Sequence, residues 1–190
     1  MTNIIRQLRD QVPLRPLTVA ESMRMADLQA TRLIGLLGLE HAPIPEKAIA
    51  DLPRVQVERM TPSPVSGAAQ WSRGRWLIVL NGGEPIGRQR FSLAHELKHV
   101  IDSPFIGFLY PACNGVSPHD RAEQVCDYFA ASLLMPRRWV KQLYYHEGVQ
   151  DLGRLARRFE VSVTAMNIRL LQLGLIEPPP RCAAPTTIAA

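Results

Sequence analysis

Long apolar runs are missing from this chain: the longest patches, around residues 33 to 39 and 76 to 80, fall far short of the roughly 20 residues a membrane-spanning helix needs. The opening stretch MTNIIRQLRDQVPLRPL places charges and prolines where a secretory leader needs an apolar segment, so a cytoplasmic protein without membrane contact is expected. Cysteine is scarce too. Cys113, Cys126 and Cys182 are an odd number with no CxxC spacing, which argues against a disulfide framework and against a thiolate zinc site. A large charge excess is also absent. The formal net charge of +5 permits attraction to nucleic acid or an acidic partner and identifies neither. What is present is apolar content of 46% over 190 residues, enough for one compact core.

Residues 95 to 99 read HELKH, an HExxH pattern. Phe91, Ala94, Leu97 and Ile101 recur at helical steps around it, which predicts a helix from about residue 93 to 102, capped by Ser92 and ended before Pro104. Positions four apart lie one turn apart on one face, so His95 and His99 can offer ring nitrogens to one metal ion. Glu96 beside them is placed to act as a general base on a metal-activated water. The plain alternative is two surface histidines flanking a glutamate.

A catalytic zinc site takes three protein ligands and leaves a fourth position open. Residues 121 to 136, RAEQVCDYFAASLLMP, follow a second helical repeat ended by Pro136, and place Glu123 and Asp127 on one face. Glu123 is read as the third ligand, and Asp127 as the outer carboxylate that accepts a hydrogen bond from a ligating histidine. Both are expected to be buried charges that a cation offsets. His119, Asp120 and Asp102 compete as third ligand, His119 most seriously, and a solvated helix edge is the plain reading of Glu123. A two-histidine, one-glutamate donor set accepts several divalent ions, manganese as well as zinc.

Elsewhere, residues 1 to 17 read as a flexible N-terminal arm. Thr18 and Glu21 form a capping box that opens a helix to about Gly38, Pro45 starts a short helix, and residues 55 to 58 alternate as a strand. Two extended runs around Ser72-Arg73-Gly74 predict a hairpin, with Trp71 and Trp76 packing near its turn. The Pro- and Gly-bearing segment of residues 103 to 119 links the two metal-binding helices, and Tyr110, Tyr128, Tyr144, Tyr145 and His146 are unranked candidates for stabilising a developing oxyanion. Residues 151 to 173 give two short helices around a turn capped by Ser162, a helix-turn-helix-like pattern. Arg154, Arg157, Arg158, Asn167 and Arg169 are its candidate nucleic-acid contacts, although packing suits the element better because its second helix carries few base-reading side chains. The tail from Pro178 reads as disordered.

HELKH followed 24 residues later by Glu123 and then Asp127 resembles the gluzincin arrangement of thermolysin-like metallopeptidases. More narrowly, RQRFSLAHELKHVI (88 to 101) and EQVCDYFAASLLMP (123 to 136) resemble the two signature blocks of the ImmA/IrrE family, and the likeness extends to residues 75 to 81 and 155 to 176, about two thirds of the chain. The resemblance implies an α+β, zincin-like domain with a small mixed sheet packed on the metal-binding helices, followed by the helix-turn-helix-like element. It implies a bacterial zinc endopeptidase that inactivates a helix-turn-helix repressor, with His95, His99 and Glu123 as ligands and Glu96 as base. Lys98 stands where the family often has Gly, and Cys126-Asp127 where many members have Ala-Asn. Neither change removes a ligand, though a cysteine near a metal can make the site sensitive to oxidation.

The boundaries that follow are an arm over 1 to 17, the peptidase domain over 18 to 145, the helical extension over 146 to 177, and a tail over 178 to 190. In zincin-like folds a sheet edge borders the cleft, where a substrate segment can add as a strand. Two other functions stay open. One is a DNA-binding regulator with a structural or sensory metal, which leaves Glu96 without a role. The other is a toxin-antitoxin or phage-immunity regulator that acts by binding.

Overall fold

The computed structural model describes residues 4 to 178, so the Pro178 tail reading falls almost wholly outside the described residues. Helix α1 (Ile4–Arg9) precedes the long α2 (Val19–Leu36), the short α3 (Glu46–Ala50), and three strands: β1 (Val55–Met60), β2 (Gly67–Ser72) and β3 (Arg75–Asn81). Helix α4 (Ile86–Asp102), one-turn α5 (Ile106–Leu109), α6 (Pro118–Leu134) and α7 (Arg137–Lys141) follow. A π-helical turn over Gln142–His146 then leads to α8 (Leu152–Phe159) and α9 (Val163–Gln172). The build is α+β with a small mixed sheet, as the pattern implied.

The sheet order is β1-β3-β2, with β1 parallel and β2 antiparallel to the central β3. Ile78 and Leu80 of β3 are buried, because the sheet lays one face on α4. The expected hairpin is the β2/β3 pair, in which Trp71 faces Trp76 across the ladder and their rings meet edge to face at 5.4 Å. Helices α2 and α4 both pack on α6, and Ala30, Leu33, Leu97, Val100, Phe129 and Leu133 form the centre of this layer. The capping box holds: the Thr18 amide donates to Glu21 Oε2 at 2.9 Å and the Glu21 amide to Thr18 Oγ1 at 3.3 Å.

Three sequence expectations need correction. Helix α4 begins at Ile86, after Pro85, and Ser92 is a buried mid-helix residue rather than its cap, because the turn before it is packed into the protein, with Gln89 and Arg90 buried and the Gln89 amide donating to the Gly82 and Glu84 carbonyls. Residues 4 to 17 are not a loose arm. Ile5, Leu8, Val12 and Leu17 are buried, and the Arg9 guanidinium donates to the Val100 and Ile101 carbonyls at 2.7 and 3.1 Å, serving acceptors that the last turn of α4 leaves free. Arg169 is also buried, and donates to the Met135 carbonyl at 3.1 Å.

Helices α8 and α9 extend the main core with a smaller one, in which Leu155, Phe159, Met166 and Leu170 pack against Ala131, Met135 and Val140. Ser162 caps α9 as expected, accepting from the Ala165 amide at 3.0 Å. Cys113 and Cys126 are free thiols, and no helix among the described residues is long and apolar enough to cross a membrane.

Candidate metal centre

Helices α4 and α6 cross so that one turn of each faces the other beneath strand β2. His95 Nε2 and His99 Nε2 lie 3.1 Å apart, Glu123 Oε2 is 3.2 Å from the first, and Glu123 Oε1 is 3.1 Å from the second. On the far side of its ring, His95 Nδ1 is 2.9 Å from Asp127 Oδ1. With the Nδ1 proton donated to that carboxylate, the Nε2 lone pair points at the other donors.

Ligands held about 2.0 to 2.1 Å from a tetrahedral metal stand about 3.3 Å from one another, and the ring nitrogens are spaced from each other and from the Glu123 oxygens, a different oxygen facing each ring, by distances of that order. Cys126 also brings its sulfur within 4.8 Å of the two ring nitrogens. Burial, with the Asp102 charge behind it, pushes the Cys126 thiol well up from its ordinary pKa. Glu123 is in contact with both rings, one through each carboxylate oxygen.

The rivals fall away on geometry. His119 is exposed, its Nδ1 4.0 Å from Glu123 Oε1, and Asp120 turns back to Ser117 at the start of α6. Asp102 lies one turn beyond His99 on α4 and is already engaged, accepting from Lys98 Nζ at 2.7 Å and from the Tyr110 hydroxyl. The expected burial of both α6 carboxylates is corrected: the Glu123 side chain is 38% exposed and that of Asp127 62%, since they form the open lip of the cleft.

Glu96 is the buried carboxylate of the site, and burial raises its pKa above the ordinary value, with the Glu123 charge adding and His95 opposing. Burial pulls the His95 ring down, but the hydrogen bond and charge of Asp127 outweigh it and raise the pKa overall; burial and the neighbouring His95 lower that of His99. Strand β2 lies directly over Glu96 because residue 67 has no side chain: a Cβ at Gly67 would stand 3.1 Å from Glu96 Cγ and 3.2 Å from its Oε1. The cleft has a volume of about 290 Å³, and Ser66, Gly67, Arg88 and Phe91 complete its walls. Ser66 and Gly67 are missing from the residues singled out by sequence, since no spacing links β2 to a helix that starts some twenty positions later.

The tyrosine candidates for oxyanion stabilisation do not line this cleft. Tyr110 is buried against Asp102, Tyr144 donates to the Leu175 carbonyl at 3.0 Å, and Tyr128 lies beneath the Arg169 guanidinium. Of the candidate nucleic-acid contacts, Arg154, Arg157 and Arg158 are exposed and Asn167 is half-buried, while Arg169 is spent inside the protein.

An HExxH helix whose two rings meet the carboxylate of a second helix, with a carboxylate base alongside, defines a centre suited to metal-assisted hydrolysis. Consistent with this, the chain belongs to the peptidase family described as IrrE N-terminal-like domain, whose model matches residues 53–171. It is similar to the radiation response metalloprotease IrrE of Deinococcus radiodurans, 29% identical over 151 residues that make up 77% of this chain and 44% of that protein. The protein of the same description from Deinococcus deserti is 37% identical over 98 residues, 47% of this chain and 34% of the relative. The chain therefore spans less than half the length of these curated relatives. A solved Mycobacterium tuberculosis transcriptional regulator shares the fold with a TM-score of 0.59 at 19% identity, over 88% of this chain and 51% of that one.

Proposed function

We propose that the protein is a metal-dependent endopeptidase, with zinc as the working ion, that cuts a regulatory protein of the helix-turn-helix repressor class. The observation that carries this reading is the donor triangle of His95, His99 and Glu123, with spacings of 3.1 to 3.2 Å and Glu96 beside it under the edge of β2. When bound there, the ion supplies Lewis acidity, which lowers the pKa of water and polarises a scissile carbonyl.

The chain's own groups do the rest. Asp127 fixes the tautomer and angle of His95 through the Nδ1 hydrogen bond. Glu96 takes a proton from the attacking water as its oxygen adds to the carbonyl carbon, and delivers it to the amide nitrogen as the C–N bond breaks. β2 pairs with β3 on one side only among the described strands, so its other edge offers main-chain donors and acceptors to an extended substrate segment beside Glu96. A polar cleft of this size selects for a peptide strand held open rather than a folded surface.

The test is a comparison of new protein N termini in host-cell lysate after addition of zinc-loaded wild type or Glu96→Gln. Discrete cleavages made only by wild type, with a DNA-binding regulator among the targets, are the expected result. Identical profiles from the two proteins would contradict a hydrolytic role.

A further inference from the structure

A second cavity, about 500 Å³ in volume, opens beside the metal cleft and shares Arg88, Phe91 and Asp127 with it. Met23 from α2, Tyr128 and Ala131 from α6, and Ala165 and Ile168 from α9 give it apolar wall, interrupted by the polar side chains of Gln124, Ser162, Thr164 and Gln172. Ile168 is 48% exposed and lies outside the small core beneath α9, whereas the half-buried Ala165 stands at the edge of that core, and the buried residues of the helix are Met166, Arg169 and Leu170.

The cavity is held in shape from behind. The buried Arg169 guanidinium reaches the Met135 carbonyl at 3.1 Å and Asp27 at 3.6 Å, and lies 5.5 Å from the centre of the Tyr128 ring, which ties α9 to α2 and α6 at once. The first turn of α4 also packs on the turn before α9, where a Cβ at Gly87 would be in ordinary contact with the Glu160 carbonyl oxygen at 3.5 Å. A rigid, mainly apolar recess with a few polar groups is the usual form of a recognition pocket.

We propose that this recess is a specificity pocket for apolar side chains of the substrate segment, and that α9 serves as its wall. The inference rests on the peptidase reading above and adds the class of substrate: a peptide with a cluster of aliphatic or aromatic residues adjoining the cut bond. Continuity with the metal cleft identifies the occupant, because a strand lying along β2 and passing over Glu96 meets the shared rim of Arg88, Phe91 and Asp127 next. Size sets the number of residues held. A dry cavity of about 150 Å³ takes one benzene, so this recess has room for about three such groups.

The experiment uses the full chain with one equivalent of zinc and two acetylated hexapeptide amides, one bearing Leu and Phe at alternate positions and one bearing Ser there. Binding is measured by calorimetry for wild type, Ala165→Asp and Ile168→Asp, with metal content and melting temperature recorded for each. Ile168 is exposed and outside the core, so Ile168→Asp keeps the fold and decides the matter if Ala165→Asp, at the edge of that core, melts early. Wild type should bind the apolar peptide at least tenfold more tightly than the serine peptide, and the variants should bring the ratio within twofold. Equal affinities in wild type, or an intact ratio in a folded variant, would overturn the pocket. So would a tenfold gain in peptide affinity on removing residues 179 to 190, which would make that tail the occupant. Cleavage of both peptides without preference would reject the pocket and leave the peptidase standing, whereas selective binding with no cleavage would do the reverse.

Discussion

His95 stands between two carboxylates, with Asp127 Oδ1 2.9 Å from its Nδ1 and Glu123 Oε2 3.2 Å from its Nε2. The first contact fixes which nitrogen carries the proton, and the second sets the direction in which the free lone pair must point. Asp127→Asn keeps the shape of the partner and removes its charge. Metal affinity, read by competition with a chromophoric chelator, should fall about 10- to 100-fold with no change in fold, since Asp127 is exposed. Unchanged affinity would show that the contact is incidental.

Glu96 touches the cleft without belonging to the donor triangle. Glu96→Gln should bind metal as wild type does and lose about 10²- to 10⁴-fold in peptide hydrolysis, the usual contribution of a positioned general base. Parallel loss of metal and activity would mean that Glu96 is a ligand instead.

Gly67 is the residue whose missing side chain lets β2 cover Glu96. Gly67→Val should displace the carboxylate or lift the strand, leaving metal content intact while activity falls by about 10²-fold, as a misplacement near 1 Å can cause. Gly67→Ala should lie between wild type and valine. A fully active valine variant would remove β2 from the catalytic geometry.

Lys98 and Asp102 form a buried ion pair between α4 and its neighbours, and Gln29 and Tyr110 complete their hydrogen bonds. Lys98→Met strands the Asp102 charge and should cost about 3 to 5 kcal/mol in urea unfolding. Replacing both, as Lys98→Met with Asp102→Leu, should recover much of that loss. Equal destabilisation in the single and double variants would contradict the pairing.

These contacts also explain how far the sequence could be read. The HExxH helix, the Thr18 and Ser162 caps and the Trp71/Trp76 pair rest on spacings of a few residues, which periodicity and cap chemistry report directly. Glu123 and Asp127 could be inferred because they share a helix face and because their segment resembles a known block. Arg169 could not be placed: an arginine on a short basic helix reads as a phosphate contact until Asp27 and the Met135 carbonyl, far away in sequence, are seen around it. The same holds for Arg9, whose partners lie more than ninety positions away, and for Lys98, which stands in a motif without belonging to the metal centre. The start of α4 was misjudged for a local reason, since Ser92 offers cap chemistry but the tertiary fold buries it.

The central claim is that His95, His99 and Glu123 hold one ion together. Elemental analysis of purified wild type, Glu96→Gln and Glu123→Ala after equilibration with zinc and gel filtration tests it most directly. One equivalent in wild type and Glu96→Gln, with loss in a folded Glu123→Ala, is the predicted result; stoichiometric zinc retained by Glu123→Ala, or none bound by wild type, would contradict it.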